Sequence, residues 1–321
     1  MDLKEGEKTL LTARSGLSAE QIRLVDALLE KTKDTNRSLW EDKKISDWVD
    51  DYCLCRYLRA RDWQLDKSHA MLTESLQWRS QMKPWAITAD DVKTQLELKG
   101  MYRNGVDRHG RPILYVKPGA LNPDTPDSFV NGEKIKGLVF ILEEAIASMV
   151  RPTDSMSKEP GVEKMSWILD FSNYGKRAKS PDSREVAQRS IKVLQNQYPE
   201  RLGALYVVNA PWFFSMLYTV VSPFLNSVTK RKIQWVKGSK EQVFKALSKD
   251  LSEENIETDY GGTNTKGFQP KFTANALTAT TTFSSAATSS TTGRTGRTQT
   301  TDDLGPSASQ GETDNARRGT L

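Results

Sequence analysis

Tyr198-Pro-Glu-Arg-Leu-Gly-Ala-Leu-Tyr-Val-Val-Asn-Ala-Pro-Trp-Phe-Phe214 changes its pattern twice along one stretch of chain. Leu205-Tyr206-Val207-Val208 is a short apolar run rich in β-branched and aromatic residues, and it predicts a buried strand. Asn209-Ala210-Pro211 supplies turn chemistry, and residues 212–222 predict a helix. From Trp212 to Val221 that helix is apolar almost all round, so it is either sandwiched in a core or meets an apolar ligand or a membrane. A mobile lid that closes over a ligand and opens at a bilayer satisfies both demands. No charge occurs between Arg201 and Lys230, a length that qualifies as a candidate membrane span. Pro211 and Pro223 oppose spanning, because each removes a helical hydrogen bond. The piece between them reaches only about 18 Å against a hydrocarbon core of about 30 Å.

Strands and helices alternate on both sides of this segment. Ile233–Val236 predicts a strand, and Ser239 with Gln242 forms a capping box before a helix carrying Val243, Phe244 and Leu247. Upstream, 183–197 predicts a helix and Ser166–Asp170 a strand. Residues 132–150 predict a helix with Ile135, Leu138, Leu142, Ala145 and Met149 on one face, and Pro112–Val116 a strand. The alternation predicts an α/β fold with a mixed, mostly parallel sheet and helices against it. Before residue 85 only helical spacing appears. A capping box at Ser18 and Gln21, stapled by Leu17 and Ile22, starts one helix. A second runs near Asp51–Arg61 with Leu54, Tyr57 and Leu58 on one face. A third is capped by Asp66 and lined by Leu72, Leu76 and Arg79. The expected organisation is a helical lobe at 17–85, an α/β lobe at 90–262 and a tail at 266–321. In the tail, sixteen of residues 273–301 are Ser or Thr, which leaves too little apolar surface to fold.

Composition narrows the function classes. The 321 residues are 37% hydrophobic, enough for a real core, and carry a net charge of +5. That mild excess suits an anionic lipid surface, and no dense basic run interleaved with aromatics points to nucleic acid. Cys53 and Cys55 stand at i, i+2 and diverge on a helix, so neither a disulfide framework nor a zinc site is expected. The first fifteen residues lack the apolar core of a signal peptide, so the expected compartment is the cytosol. No nucleophile elbow, P-loop or dinucleotide fingerprint is present, and His69 and His109 have no nucleophile at useful spacing. The neighbours Glu143-Glu144 and Glu253-Glu254 read as solvated surface. No covalent chemistry is expected.

Four stretches in order, CRYLRARDW (55–63), DRHGRPILYV (107–116), YPERLGALYVVNAPWFF (198–214) and PFLNSVTKRKI (223–233), with DYGG (259–262) after them, resemble the CRAL-TRIO family of lipid-transfer proteins. The resemblance covers about residues 17–262 and lies nearest to the branch that carries phosphatidylinositol. It implies a helical lobe against a lipid-binding lobe whose sheet floors an apolar pocket. It also implies that 212–222, with its extension to about 228, is a mobile gate. Gate and pocket positions then fall on Trp212, Phe213, Phe214, Met216, Leu217, Val220, Val221 and Phe224, and the floor on Met165 and Trp167.

Carried over position by position, the headgroup residues fall on Arg61, Asp107, Glu200, Arg201, Thr229 and Lys232. The chemistry is coherent: Arg and Lys give charge-assisted donors to a phosphodiester, while carboxylates and Thr pair with ring hydroxyls. Two departures matter. Asp62 stands where the branch has a second basic residue. Met165 and Trp167 stand where carriers of phosphatidylcholine place small hydroxyl residues, which argues against that second cargo. The expected protein is a monomeric, cytosolic carrier that holds a phospholipid, needs no cofactor or metal, and touches membranes transiently. A carrier of a sterol or other non-phospholipid hydrophobe is one alternative. A phosphoinositide-sensing regulator without net transfer is the other.

Overall fold

Ser18 opens the first helix in the way its sequence predicts. Its hydroxyl accepts the Gln21 N–H (3.2 Å), and the Gln21 side chain accepts the Ser18 N–H (3.0 Å). The computed structural model describes residues 13–120, 134–149, 162–174, 181–211, 222 and 227–265, with backbone alone at 181–184 and 228. All of these lie in one compact unit. The expected gate and pocket residues Trp212, Phe213, Phe214, Met216, Leu217, Val220, Val221 and Phe224 lie outside the described residues, as does the tail from 266.

Helices α1 (Ala19–Thr35), α2 (Arg37–Trp40), α3 (Lys43–Ser46), α4 (Asp51–Arg59) and α5 (Leu65–Met82) form the N-terminal layer. Asp50 caps α4 by accepting the Cys53 N–H (2.7 Å). Leu28, Ile45, Leu54, Leu58, Leu72 and Leu76 are fully or almost fully buried between them. Cys53 and Cys55 are free thiols inside this core, and burial pushes the Cys53 thiol up to about 12. One expectation fails: Gln64, not Asp66, is the cap position of α5, and Asp66 lies in the first turn, where it pairs with Lys31 (2.5 Å).

After α6 (Lys93–Glu97) come β1 (Met101–Val106), β2 (Pro112–Val116), α7 (Lys134–Ala147), β3 (Met165–Asp170), α8 (Pro181–Gln197), β4 (Leu202–Val208), α9 (Ser227–Arg231), β5 (Ile233–Val236) and α10 (Lys240–Leu247). The sheet order follows the chain, with β1 antiparallel to β2 and every later pair parallel. Strand β1 is not predicted by the sequence reading. Its register shifts between Arg103 and Val106, and Gly105 there has φ +76°, so the period-two pattern is broken where it would be read.

Register assigns the two faces of the sheet. Tyr102, Tyr115, Ile168 and Tyr206 line up on one. Tyr115 stacks between Tyr102 (5.3 Å) and Tyr260 (5.9 Å), whose hydroxyl donates to Asp170 (2.8 Å). The C-terminal segment DYGG is thereby pinned to that face. Arg103, Leu114, Trp167, Leu205 and Ile233 line up on the other. There Arg103 pairs with Glu144 of α7 (3.4 Å), so α7 covers the face on which Met165 and Trp167 lie.

Glu143, one residue earlier, corrects the sequence reading of a solvated pair. Its Oε1 accepts from Arg79 of α5 (2.9 Å) and from the Tyr198 hydroxyl (2.7 Å), and Arg79 lies over the Trp48 ring (4.2 Å). Adjacent carboxylates do diverge, but each meets a cation on its own side. Among the described residues no helix is long and apolar enough to cross a membrane.

Candidate functional site

Parallel strands bring their N-terminal ends to one edge, and in this sheet that edge is rich in cations. Lys232 immediately precedes β5, and its Nζ donates to the Leu202 carbonyl at the start of β4 (2.9 Å). Lys232 is partly buried, and its pKa is lowered. Burial is the largest cause, Glu200 pulls the other way, and Lys164 and Arg111 lower it further. Glu200 is held in the left-handed region (φ 59°) at the turn into β4. Among the described residues no carboxylate lies within ion-pair distance of the Lys232 amine. The edge therefore gathers Lys164, Arg111 and Lys232, with Glu200 the carboxylate that acts on Lys232.

Arg111 reaches this edge because Asp107 holds it. The Asp107 carboxylate, fully buried, accepts the His109 and Arg111 N–H groups (2.9 Å each), Arg111 Nε (2.5 Å) and Ser166 Oγ (2.6 Å). A carboxylate with four donors from its own chain fixes the DRHGRP turn and aims the arginine. Gly203 lets the guanidinium lie against β4, since a Cβ there would stand 2.8 Å from Arg111 Nη1. Lys164 and Arg111 were not singled out from the sequence. The only signals were a lysine at the start of a strand and the arginine inside a motif already noted.

The other expected residues divide. Buried Arg201 donates from Nη1 to the Glu163 main-chain carbonyl (2.8 Å). The Glu163 carboxylate accepts from Arg56 and Arg59 of α4 (3.0 Å each), so the helical layer meets the start of β3 at one residue. Arg61 follows α4 and makes no hydrogen bond or ion pair to these groups; its Nη1 donates to the Ala60 carbonyl (3.0 Å). Thr229 lies in α9, where its carbonyl accepts the Lys232 N–H (3.0 Å) and sets the turn into β5. Met165 is fully buried and Trp167 is 9% exposed, on the face covered by α7.

The depressed Lys232 pKa has a linkage consequence. The unfolded chain holds this proton more tightly than the folded one, so stability rises with pH between the lowered folded value and the ordinary 10.5. Lysine-selective NMR is expected to place the Lys232 midpoint below 10.5, and lower still in Glu200→Gln. A midpoint at or above 10.5 refutes this account of the edge.

Comparison with known proteins follows the same two layers. The CRAL/TRIO domain matches residues 96–262, and the CRAL/TRIO N-terminal domain matches residues 23–74. Patellin-6 of Arabidopsis thaliana is 30% identical over 214 residues, 66% of this chain and 51% of its own length. The phosphatidylinositol transfer protein PDR17 of Saccharomyces cerevisiae is 31% identical over 205 residues, 60% of this chain and 55% of its own. The SEC14 cytosolic factor of Eremothecium gossypii is 31% identical over 219 residues, 67% and 70% of the two chains. The match thus spans about half the length of Patellin-6 and of PDR17. The crystal structure of Sfh5 shares the fold with a TM-score of 0.52 at 16% identity, over 68% of this chain and 80% of the other. With its helical layer and its sheet each matched in sequence, and the fold matched in space, the chain belongs to the CRAL/TRIO domain family.

Proposed function

We infer that the protein binds one phosphatidylinositol molecule and exchanges it between membranes, without covalent chemistry. The single observation that carries this reading is the partly buried Lys232 amine, with Lys164 and Arg111 for neighbours and no carboxylate within ion-pair distance among the described residues. Arg111 is paired with Asp107, so it is the Lys232 and Lys164 amines, without an ion pair among the described residues, that a phosphodiester neutralises with charge-assisted hydrogen bonds. The names of PDR17 and the SEC14 cytosolic factor support lipid transfer as the class of activity. In this reading Glu200 takes a ring hydroxyl, Asp107 positions Arg111, and Arg61 approaches the phosphate when cargo is present.

Exchange takes place at a bilayer. Each methylene left in water costs about 0.8 kcal/mol, so a two-chain lipid does not leave through bulk solvent. β4 and β5 are parallel neighbours, so Asn209–Lys232 is a crossover connection, and the apolar run inside it is the segment that touches the membrane. The carrier acts as a monomer that meets membranes transiently.

Mass spectrometry of lipids extracted from the purified full chain tests the assignment. Near-stoichiometric phosphatidylinositol is expected in the wild type and its loss in Lys232→Ala and Arg61→Ala. Phosphatidylcholine is expected to be absent, because Met165 and Trp167 offer its headgroup no hydroxyl. A sterol or other neutral hydrophobe carried equally by wild type and variants overturns the headgroup residues and leaves a carrier of another cargo.

A further inference from the structure

A second concentration of positive charge lies away from the strand edge, where α5, α7 and α8 meet. A cleft of about 490 Å³ opens there, lined by Trp78 and Met82 of α5, Lys136 of α7, and Arg189, Lys192 and Gln197 of α8. Its size falls within the ~300–1,000 Å³ of ordinary small-molecule sites. Arg189 and Lys192 are one helical turn apart and face the same way. Lys136 and Lys192 have no carboxylate within ion-pair distance among the described residues. Among the described residues Arg189 has only the exposed Glu185 on its own helix (2.5 Å), a pair that water screens.

The floor is as particular as the rim. Trp78 meets Tyr198 edge-to-face (6.0 Å), so its indole is fixed by the core behind it. None of these residues belongs to the headgroup set, and none is used by the exchange reaction. The cleft therefore combines three cations and an immobilised aromatic wall.

We propose that this cleft is an accessory site for the phosphorylated headgroup of an anionic membrane lipid, separate from the cargo site. The cations take the phosphate oxygens with charge-assisted hydrogen bonds. Trp78 and Met82 lie against the apolar part of the ligand. The site gives the carrier a means of choosing the membrane at which it exchanges, independently of what it carries.

Flotation of the full chain with phosphatidylcholine vesicles, with and without a singly phosphorylated phosphatidylinositol, tests this. Removing two cations in Arg189→Ala/Lys192→Ala is expected to weaken binding to the phosphorylated vesicles about thirtyfold. Lys240→Ala/Lys245→Ala removes the same charge from α10 and is expected to leave that binding within about twofold. Cargo recovered by lipid extraction is expected to be unchanged in both, which separates failure of this site from failure of the cargo assignment. Equal losses in the two double variants, or none in the first, overturn the proposal. The water-soluble deacylated headgroup is expected to bind the same cleft weakly. If it binds well while the vesicles do not, the source is a free phosphate ester and the membrane assignment falls.

Discussion

Replacing Glu143 by leucine is expected to lower the unfolding free energy by about 3–5 kcal/mol, read as a shift of the denaturant midpoint. The size comes from what stays behind. The Arg79 side chain is 3% exposed and lies over Trp48, so no rotamer returns its charge to water without breaking the core. Burial is the largest single influence and disfavours the charged guanidinium, but Glu143 together with Tyr198 and Tyr57 holds the Arg79 pKa above its ordinary value. Removing the carboxylate strands that charge and leaves the Tyr198 hydroxyl without its acceptor.

A second substitution separates the stranded charge from simple loss of contact. Arg79→Met in the Glu143→Leu background removes the buried cation and replaces the pair by apolar volume. Such replacements are often neutral or stabilising, so the double variant is expected to recover at least half of the single variant's loss. The remainder is the Tyr198 hydroxyl, which Tyr198→Phe then relieves. A double variant less stable than Glu143→Leu means that Arg79 contributes through packing on Trp48 rather than through its charge.

Glu143 also shows where sequence reading runs out. Helix α7 was legible from the spacing of Leu138, Leu142 and Ala145, and so was the buried line of Leu72, Leu76 and Arg79 on α5. That a carboxylate on one meets a cation on the other depends on how two helices distant in sequence dock, and no local pattern encodes it. Strands β2 to β5 were legible because apolar side chains fill nearly every position. Strand β1 was not, because Arg103, Asn104 and the positive-φ Gly105 interrupt its alternation. The same divide runs through the candidate site. Lys232 and Glu200 were placed by motifs. The part played by Asp107 was not, because its donors come from the turn that follows it and from Ser166 across the sheet.

Glu163→Ala is the variant expected to couple stability to cargo. Its carboxylate is shared by Arg56, whose side chain is 3% exposed, and Arg59, at 33%. Loss of the carboxylate leaves Arg56 charged and buried, and a cost of about 3–5 kcal/mol follows, as at Glu143. The bond from Arg201 survives, because it goes to the main-chain carbonyl of residue 163. Position matters more than magnitude here. Lys164 is the next residue, and Arg61 is in the turn that follows the helix Glu163 anchors, whereas Glu143 touches neither. Two variants of similar stability thus differ in whether they disturb the proposed headgroup site. In temperature-matched samples that remain folded, Glu163→Ala is expected to retain several-fold less phosphatidylinositol than Glu143→Leu. Glu163→Gln, which keeps the hydrogen-bonding shape without the charge, is expected to fall between Glu163→Ala and the wild type. Equal cargo in Glu163→Ala and Glu143→Leu means that lipid retention follows global stability alone, and that the α4–β3 junction has no part in holding the headgroup.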